Sequence, residues 1–189
     1  MRVWLDADAA PWEVKEIVFR AARRLKFDTV MVANQSLALP PNAPTVSMVT
    51  VASGANIADR YIVTHSQAGD LVITADIPLA AELVAKQVVV VDPRGDEHTL
   101  DNIQSRLSMR DFLDGMRGAG TLSGGGRPYD NQDKKRFAAA LDRFLAKHHS
   151  SRFGSGTGTS GTGSSGTGSS GTSNSVTLKN TSSNDPDSA

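Results

Sequence analysis

Hydrophobic and polar positions follow two rhythms along the first 148 residues. Val3-Trp4-Leu5 is a short apolar run that passes directly into Asp6-Ala7-Asp8. Pro11 stands where a first helical residue would. Val14, Ile17, Val18, Ala21, Ala22 and Leu25 then recur at helical spacing. Residues 2–26 therefore predict a strand, an acidic turn and a helix. Thr29–Ala33 predicts a second strand, Pro40, Pro41 and Pro44 hold a loop open, and Val46–Val51 predicts a third strand. A helical pattern follows Gly54 and runs to about His65. Asp70–Thr74 predicts a fourth strand, ending in Ala75-Asp76. Pro78 opens a short helix through Lys86. The valine-rich stretch Gln87–Val91 predicts a strand buried on both faces.

Pro93-Arg94-Gly95 turns the chain. Thr99 can cap a helix carrying Leu100, Ile103, Leu107, Leu113 and Met116 along one side. Beyond the glycine-rich Gly118–Gly126, Asp130 or Asn131 can cap a last helix, with Phe137, Leu141, Phe144 and Leu145 inward. Strands alternating with helices over short loops predict a three-layer α/β/α domain with a mostly parallel central sheet.

The rhythm stops near residue 148. Residues 149–189 are almost entirely Ser, Gly, Thr and Asn. Such a segment cannot bury enough apolar surface to offset its ordering entropy, so a disordered tail is expected. The predicted organisation is a domain over 1–148 and a Gly/Ser/Thr-rich tail over 149–189.

The chain has 20 basic and 20 acidic residues, which argues against a polycationic nucleic-acid coat. It has no cysteine, so disulfides, thiolate zinc sites and cysteine nucleophiles are excluded. No window approaches 18 apolar residues, and the N-terminus runs straight into a strand without a signal peptide. A cytoplasmic protein with no membrane partner is expected.

In parallel α/β sheets, ligands bind beyond the carboxyl ends of the strands. Asp6 and Asp8 follow the first predicted strand; two apart in extended backbone, they project from the same face. Asp76 follows the fourth. Carboxylates this close repel by about 4 kcal/mol per pair at about 4 Å and an effective dielectric near 20. A divalent cation removes that cost, and oxygen-only ligands suit Mg²⁺ or Mn²⁺. On a helical projection of residues 55–64, Ala55, Ala58, Ile62 and Val63 share one side, with Asp59 in its middle. An aspartate turned toward a sheet needs a partner or a metal. Each residue also has a plainer reading. Asp6 and Asp8 can serve the amino end of the first helix, Asp76 can cap the helix that Pro78 opens, and Asp59 can pair with a buried arginine or belong to a helix of different phase.

Leu71-Val72-Ile73-Thr74-Ala75-Asp76 resembles the strand-end Thr-x-Asp of PIN-domain nucleases. Asp6 resembles their first acidic position and Asp59 their helix-borne one. The stretch from Met1 to about Lys147 resembles the YaiI/YqxD family more closely. The matching segments are Trp4-Leu5-Asp6-Ala7-Asp8-Ala9, Val32-Ala33-Asn34-Gln35, Ala58-Asp59-Arg60, Ile73 to Ala80, Asp92-Pro93-Arg94-Gly95 and Met109-Arg110-Asp111-Phe112. That family commonly has Cys-Pro after the first acidic motif, where this chain has Ala10-Pro11. The resemblance implies a PIN-like fold and metal-assisted phosphodiester hydrolysis in RNA or DNA. Asp6, Asp59 and Asp76 would hold one or two Mg²⁺ or Mn²⁺ ions, with Asp8 close by. Thr74 would orient a carboxylate or touch phosphate, and Asn34 would bond a ligand or form a turn.

Two other readings compete. Asp6-Ala7-Asp8 also resembles the Asp-x-Asp pair of haloacid-dehalogenase-type phosphatases, with Thr74, Lys86, Asp92 and Asp96 following in loose order. A non-catalytic RNA-binding module would use Arg23, Arg24, Lys26, Arg127 and Lys134-Lys135-Arg136 on phosphates.

Overall fold

The structure is a computed structural model that describes residues 1–119 and 127–153, with side chains to His148. The first of two compact units spans Met1–Ser155; the second, Gly156–Ala189, lies outside the described residues. The expected disordered tail therefore falls almost wholly outside them, as does most of the glycine-rich loop, at 120–126.

Six strands form one sheet: β1 (Arg2–Asp6), β2 (Asp28–Ala33), β3 (Val46–Thr50), β4 (Leu71–Ile73), β5 (Val89–Val91) and β6 (Glu97–His98). The helices are α1 (Trp12–Leu25), α2 (Ile57–His65), α3 (Ile77–Ala85), α4 (Leu100–Gly118) and α5 (Asn131–Phe153). The strand order is β3-β2-β1-β4-β5-β6; all pairs are parallel except β5–β6. The three-layer α/β/α architecture predicted from the hydrophobic rhythm is the one found.

Strand alternation assigns the layers. Val3, Leu5, Met31, Ala33, Leu71 and Ile73 turn toward α1 and α5, meeting Val14, Val18, Phe137 and Leu141. Trp4, Val30, Val32, Val72 and Val90 turn the other way, onto Ile62 of α2, Leu79 and Leu83 of α3 and Ile103 of α4. Each face excludes water from a run of branched side chains, and that burial is the main stabilising term of the fold.

Two local expectations are corrected. α2 begins at Ile57, so Ala55 lies outside it and is exposed. The buried stripe is Ala58 and Ile62, and Asp59 sits about a quarter-turn to its side. The predicted inward face of α4 is buried only at Ile103, while Leu100 is 69% exposed and Leu107, Leu113 and Met116 are half-buried. The reason is length: 19 residues of helix run about 28 Å, but β5 and β6 have only three and two residues to lie on. α5 itself runs to Phe153.

The chain builds β1, β2 and β3 outward in one direction, then returns to place β4 on the other side of β1. The strand order therefore reverses between β1 and β4. In open α/β sheets, the crevice beyond the carboxyl ends of two such strands is where ligands bind.

Candidate functional site

Asp6 is the last residue of β1, and Thr74 follows the last residue of β4. The register pairs Trp4 with Val72 and Leu5 with Ile73. One further step brings Asp6 beside Thr74. Both continue the even-numbered face of their strands, the side covered by α2 and α3. Thr74 Oγ1 donates to Asp6 Oδ2 at 2.8 Å and accepts from the Asp76 amide at 3.0 Å. One hydroxyl thus joins the strand-end carboxylate to the start of α3.

Asp76 caps α3, its Oδ1 accepting from the Leu79 amide at 2.8 Å. The capping reading is therefore realised for one oxygen. Asp8 lies in a turn, because the extended backbone ends at Asp6; the alternation expected to align the two does not reach it. Its Oδ2 accepts from the Asn34 amide at 2.8 Å, tying the turn after β1 to the end of β2. Asp59 is half-buried in the first turn of α2. Among the described residues it has no hydrogen-bonded or ionic partner, so the arginine expected in its plainer reading is not found.

Asp6, Asp8, Asn34, Asp59 and Asp76 line one open cleft of about 330 Å³, together with Ala9, Gly54, Ala55, Asn56 and Ala58, while Thr74 is buried behind it. Sequence reasoning missed Gly54-Ala55-Asn56. Asn56 holds a left-handed φ of 59° just before α2, which asparagine tolerates better than most residues. The cleft has four carboxylates and no basic side chain among its described lining residues.

Its electrostatics follow from that composition. Asp6 is only 5% exposed. Burial pushes its carboxyl above the usual value of 3.8, the Thr74 and Ala9 hydrogen bonds pull it back, and Asp8 and Asp76 push it up again. Asp59 is raised too, first by burial and then by Asp76, Asp6 and Glu82. Two ionisable groups displaced in this way in a crevice mark a functional-site candidate rather than an ordinary surface.

The donor set is all oxygen, the chemistry that hard divalent cations take. Asn34 Oδ1 adds a buried acceptor with no partner among the described residues. No group of three His, Asp or Glu side chains among the described residues is drawn together closely enough to hold one ion in this conformation. Asp76 and Asp8 each commit an oxygen to a backbone amide instead. The residues fit an ion held through one or two carboxylates and water, as Mg²⁺ commonly is.

Three other predicted groups lie elsewhere. Lys86 donates to the carbonyls of Val63 and Ser66 at the end of α2. Arg127 and Arg136 bind Asp133, and Arg24 pairs with Asp142. The basic clusters read as phosphate contacts are therefore partly committed to carboxylates.

The sequence model described as the uncharacterised BCR, YaiI/YqxD family matches residues 4–147. A UPF0178 protein of Shewanella woodyi is 50% identical over 149 residues, covering 79% of this chain and 98% of the relative. One from Saccharophagus degradans is 50% identical over 147 residues, covering 78% and 97%. One from Cellvibrio japonicus is 49% identical over 148 residues, covering 78% and 97%. No solved structure shows a significant match.

Proposed function

This chain belongs to the YaiI/YqxD family, and from its acidic cleft we propose that it is a divalent-metal-dependent phosphodiesterase acting on RNA or DNA. The observation that carries the reading is Asp6, a nearly buried carboxylate with no basic side chain beside it among the described residues, at the point where the strand order reverses. Burying such a charge costs several kcal/mol unless something positive joins it. Asp6 and Asp76 would hold Mg²⁺ or Mn²⁺ with water completing the shell, and Asp8 and Asp59 would stand beside them. A bound ion there supplies neutralisation of phosphate charge and a more acidic water.

The chain's own residues do the rest. Thr74 fixes the rotamer of Asp6 by donating to Oδ2, leaving Oδ1 with only a long, weak bond from the Ala9 amide at 3.4 Å. That oxygen is the one available to the cleft. Asp76, held by the first turn of α3, keeps its second oxygen without a hydrogen-bond donor among the described residues. Asn34 Oδ1 offers an acceptor to a water or a sugar hydroxyl. Asp59, poised above the usual carboxyl value, can carry a proton between an attacking water and solvent.

The phosphatase reading finds less support, because Lys86 caps α2 rather than lining the cleft. A binding module without turnover differs from the proposal only in whether bonds are cut.

The test is Mn²⁺ titration calorimetry on the wild type and on Asp6→Asn/Asp76→Asn, followed by cleavage assays on labelled RNA and DNA with and without EDTA. Stoichiometric binding lost in the double variant, with strand cleavage that EDTA abolishes, is expected. A wild type that binds no Mn²⁺ and cuts neither polymer overturns the reading.

A further inference from the structure

The two tryptophans sit in opposite environments. Trp4 is 2% exposed, whereas Trp12, the first residue of α1, is 56% exposed. An aromatic ring left open at the mouth of a crevice loses apolar burial that an ordinary surface residue would not forfeit. Trp12 is nonetheless held in place. Its ring packs edge-on against buried Phe19, with centroids 6.4 Å apart and planes at 75°.

Trp12, Phe19, Arg20 and Arg23 follow one another along a single face of α1. Across from them lies the segment Ala38-Leu39-Pro40-Pro41, and together they wall a groove of about 310 Å³. Arg20 and Arg23 are exposed, and neither has an ion-pair partner among the described residues. Glu16 is the one acid among the described lining residues.

Chain connectivity keeps the groove near the acidic cleft. Ala9 lines the cleft and Trp12 the groove; Asn34 lines the cleft and Ala38 the groove. Three or four residues of chain span at most roughly 14 Å. Each wall of the groove therefore begins within roughly 14 Å of a residue that lines the cleft. Along α1 the arginines stand about 12 and 16 Å beyond Trp12, leading away from the carboxylates.

We propose that this groove is a subsite for single-stranded nucleic acid, with Trp12 stacking on an unpaired base and Arg20 and Arg23 holding the phosphates beyond it. The inference rests on the cleft reading and narrows its substrate to unpaired strands. A base offers its flat face to a side chain only when it is unstacked, and an aromatic platform beside a cationic track is how such strands are bound. The cleft repels the phosphate backbone while the groove attracts it. A strand anchored in the groove can thus approach a cation-loaded cleft.

The experiment uses the full chain and unlabelled dT15, rU15 and a 15-base-pair duplex, in EDTA so that nothing is cut. Trp12 fluorescence is expected to be quenched by either single strand and little by the duplex; buried Trp4 stays silent. Trp12→Ala should weaken binding of labelled dT15 about tenfold, and Trp12→Phe should restore most of it. Arg20→Ala/Arg23→Ala should reduce the slope of log K against log salt by roughly 1.4. Binding without quenching, or equal affinity of Trp12→Ala, overturns the subsite. So does quenching by an acidic peptide in place of the oligonucleotides, which would indicate a protein partner. Quenching by dT15 without Mn²⁺-dependent cleavage overturns the cleft reading and leaves the subsite standing. Cleavage that Trp12→Ala leaves unchanged in both KM and kcat does the reverse.

Discussion

Two aspartates of this protein are almost equally buried and treated in opposite ways. Asp133, in the first turn of α5, is 0% exposed. Three arginines converge on it: Arg94 at 2.6 Å, Arg136 at 2.8 Å, and Arg127 through both oxygens. Burial would push its carboxyl up, but the hydrogen bonds of Arg127 and Arg136 and the Asp130 amide hold it down at about 2. Asp6 has one hydroxyl, one distant amide and two further carboxylates, and its carboxyl is pushed up. A buried charge kept for stability is surrounded by partners. One left short of partners is of the kind that a ligand would complete.

The Asp133 centre also explains a tight piece of backbone. Arg94 belongs to the turn between β5 and β6, which Asp92 organises by accepting from the Arg94 and Asp96 amides. Gly95 in that turn has φ +89°, and a Cβ there would lie 2.5 Å from the carbonyl carbon of Arg136. The turn thus lies directly against α5, which brings Arg94 to Asp133.

Removing Asp133 should have the largest effect on stability. Asp133→Asn removes the carboxylate that three guanidinium groups share, leaving Arg127 its pair with Asp130, and should lower Tm by roughly 10 °C, read by calorimetry. Gly95→Ala should approach that loss, since neither its φ nor the α5 backbone can yield. A Tm within a degree or two of wild type for either variant would remove the contrast with Asp6.

Asp6→Asn should move stability the other way, raising Tm by about 2–5 °C in metal-free buffer while abolishing Mn²⁺ binding. The sign follows from its raised carboxyl. Folding favours the protonated form, so its contribution is greatest below 3.8 and is lost as pH rises through the raised value. At neutral pH the ionised group is a net cost. A lowered Tm would mean that Asp6 is a structural acid like Asp133.

The two centres should also separate in pH. Asp133 stabilises the fold above its ordinary value, and that stability is lost as pH falls from about 4 through about 2. The acid-unfolding transition should therefore flatten over that window in Asp133→Asn. Mn²⁺ binding should fade earlier on acidification, at a midpoint above 3.8, because raised Asp6 and Asp59 take up protons first.

The smallest expected effect belongs to Thr74→Val. It removes the hydroxyl between Asp6 and Asp76, costs about 1 kcal/mol of stability, and weakens Mn²⁺ binding by about tenfold, a typical loss when an orienting group is removed. Unchanged affinity would show that Asp6 is oriented by packing alone.

Much of the fold was legible because each element carries its own rhythm. The even and odd residues of β1 and β2, the apolar face of α1 and the inward side chains of α5 all obey local periodicity. The acidic cluster was legible for a related reason: Asp6 and Asp76 stand where apolar runs end, and a polar residue in that place can be seen without knowing which strands adjoin. Asp59 was found by helical phase, although that phase began two residues too early. The two-residue strand β6, the exposed reach of α4 and the open face of Trp12 were not legible. Each depends on what another part of the chain covers.

The sequence by itself determined the alternation of strands and helices, the two faces of the sheet and the acids at the strand ends, since these follow from short-range spacing and burial. Tertiary structure decided which acid is neutralised and which is left bare. Arg94, Arg127 and Arg136 reach Asp133 only because the β5–β6 turn rests on α5, and Thr74 reaches Asp6 only because β4 crosses back beside β1. Charge interactions depend on distance in space and on local water, and neither is written in the order of residues along the chain.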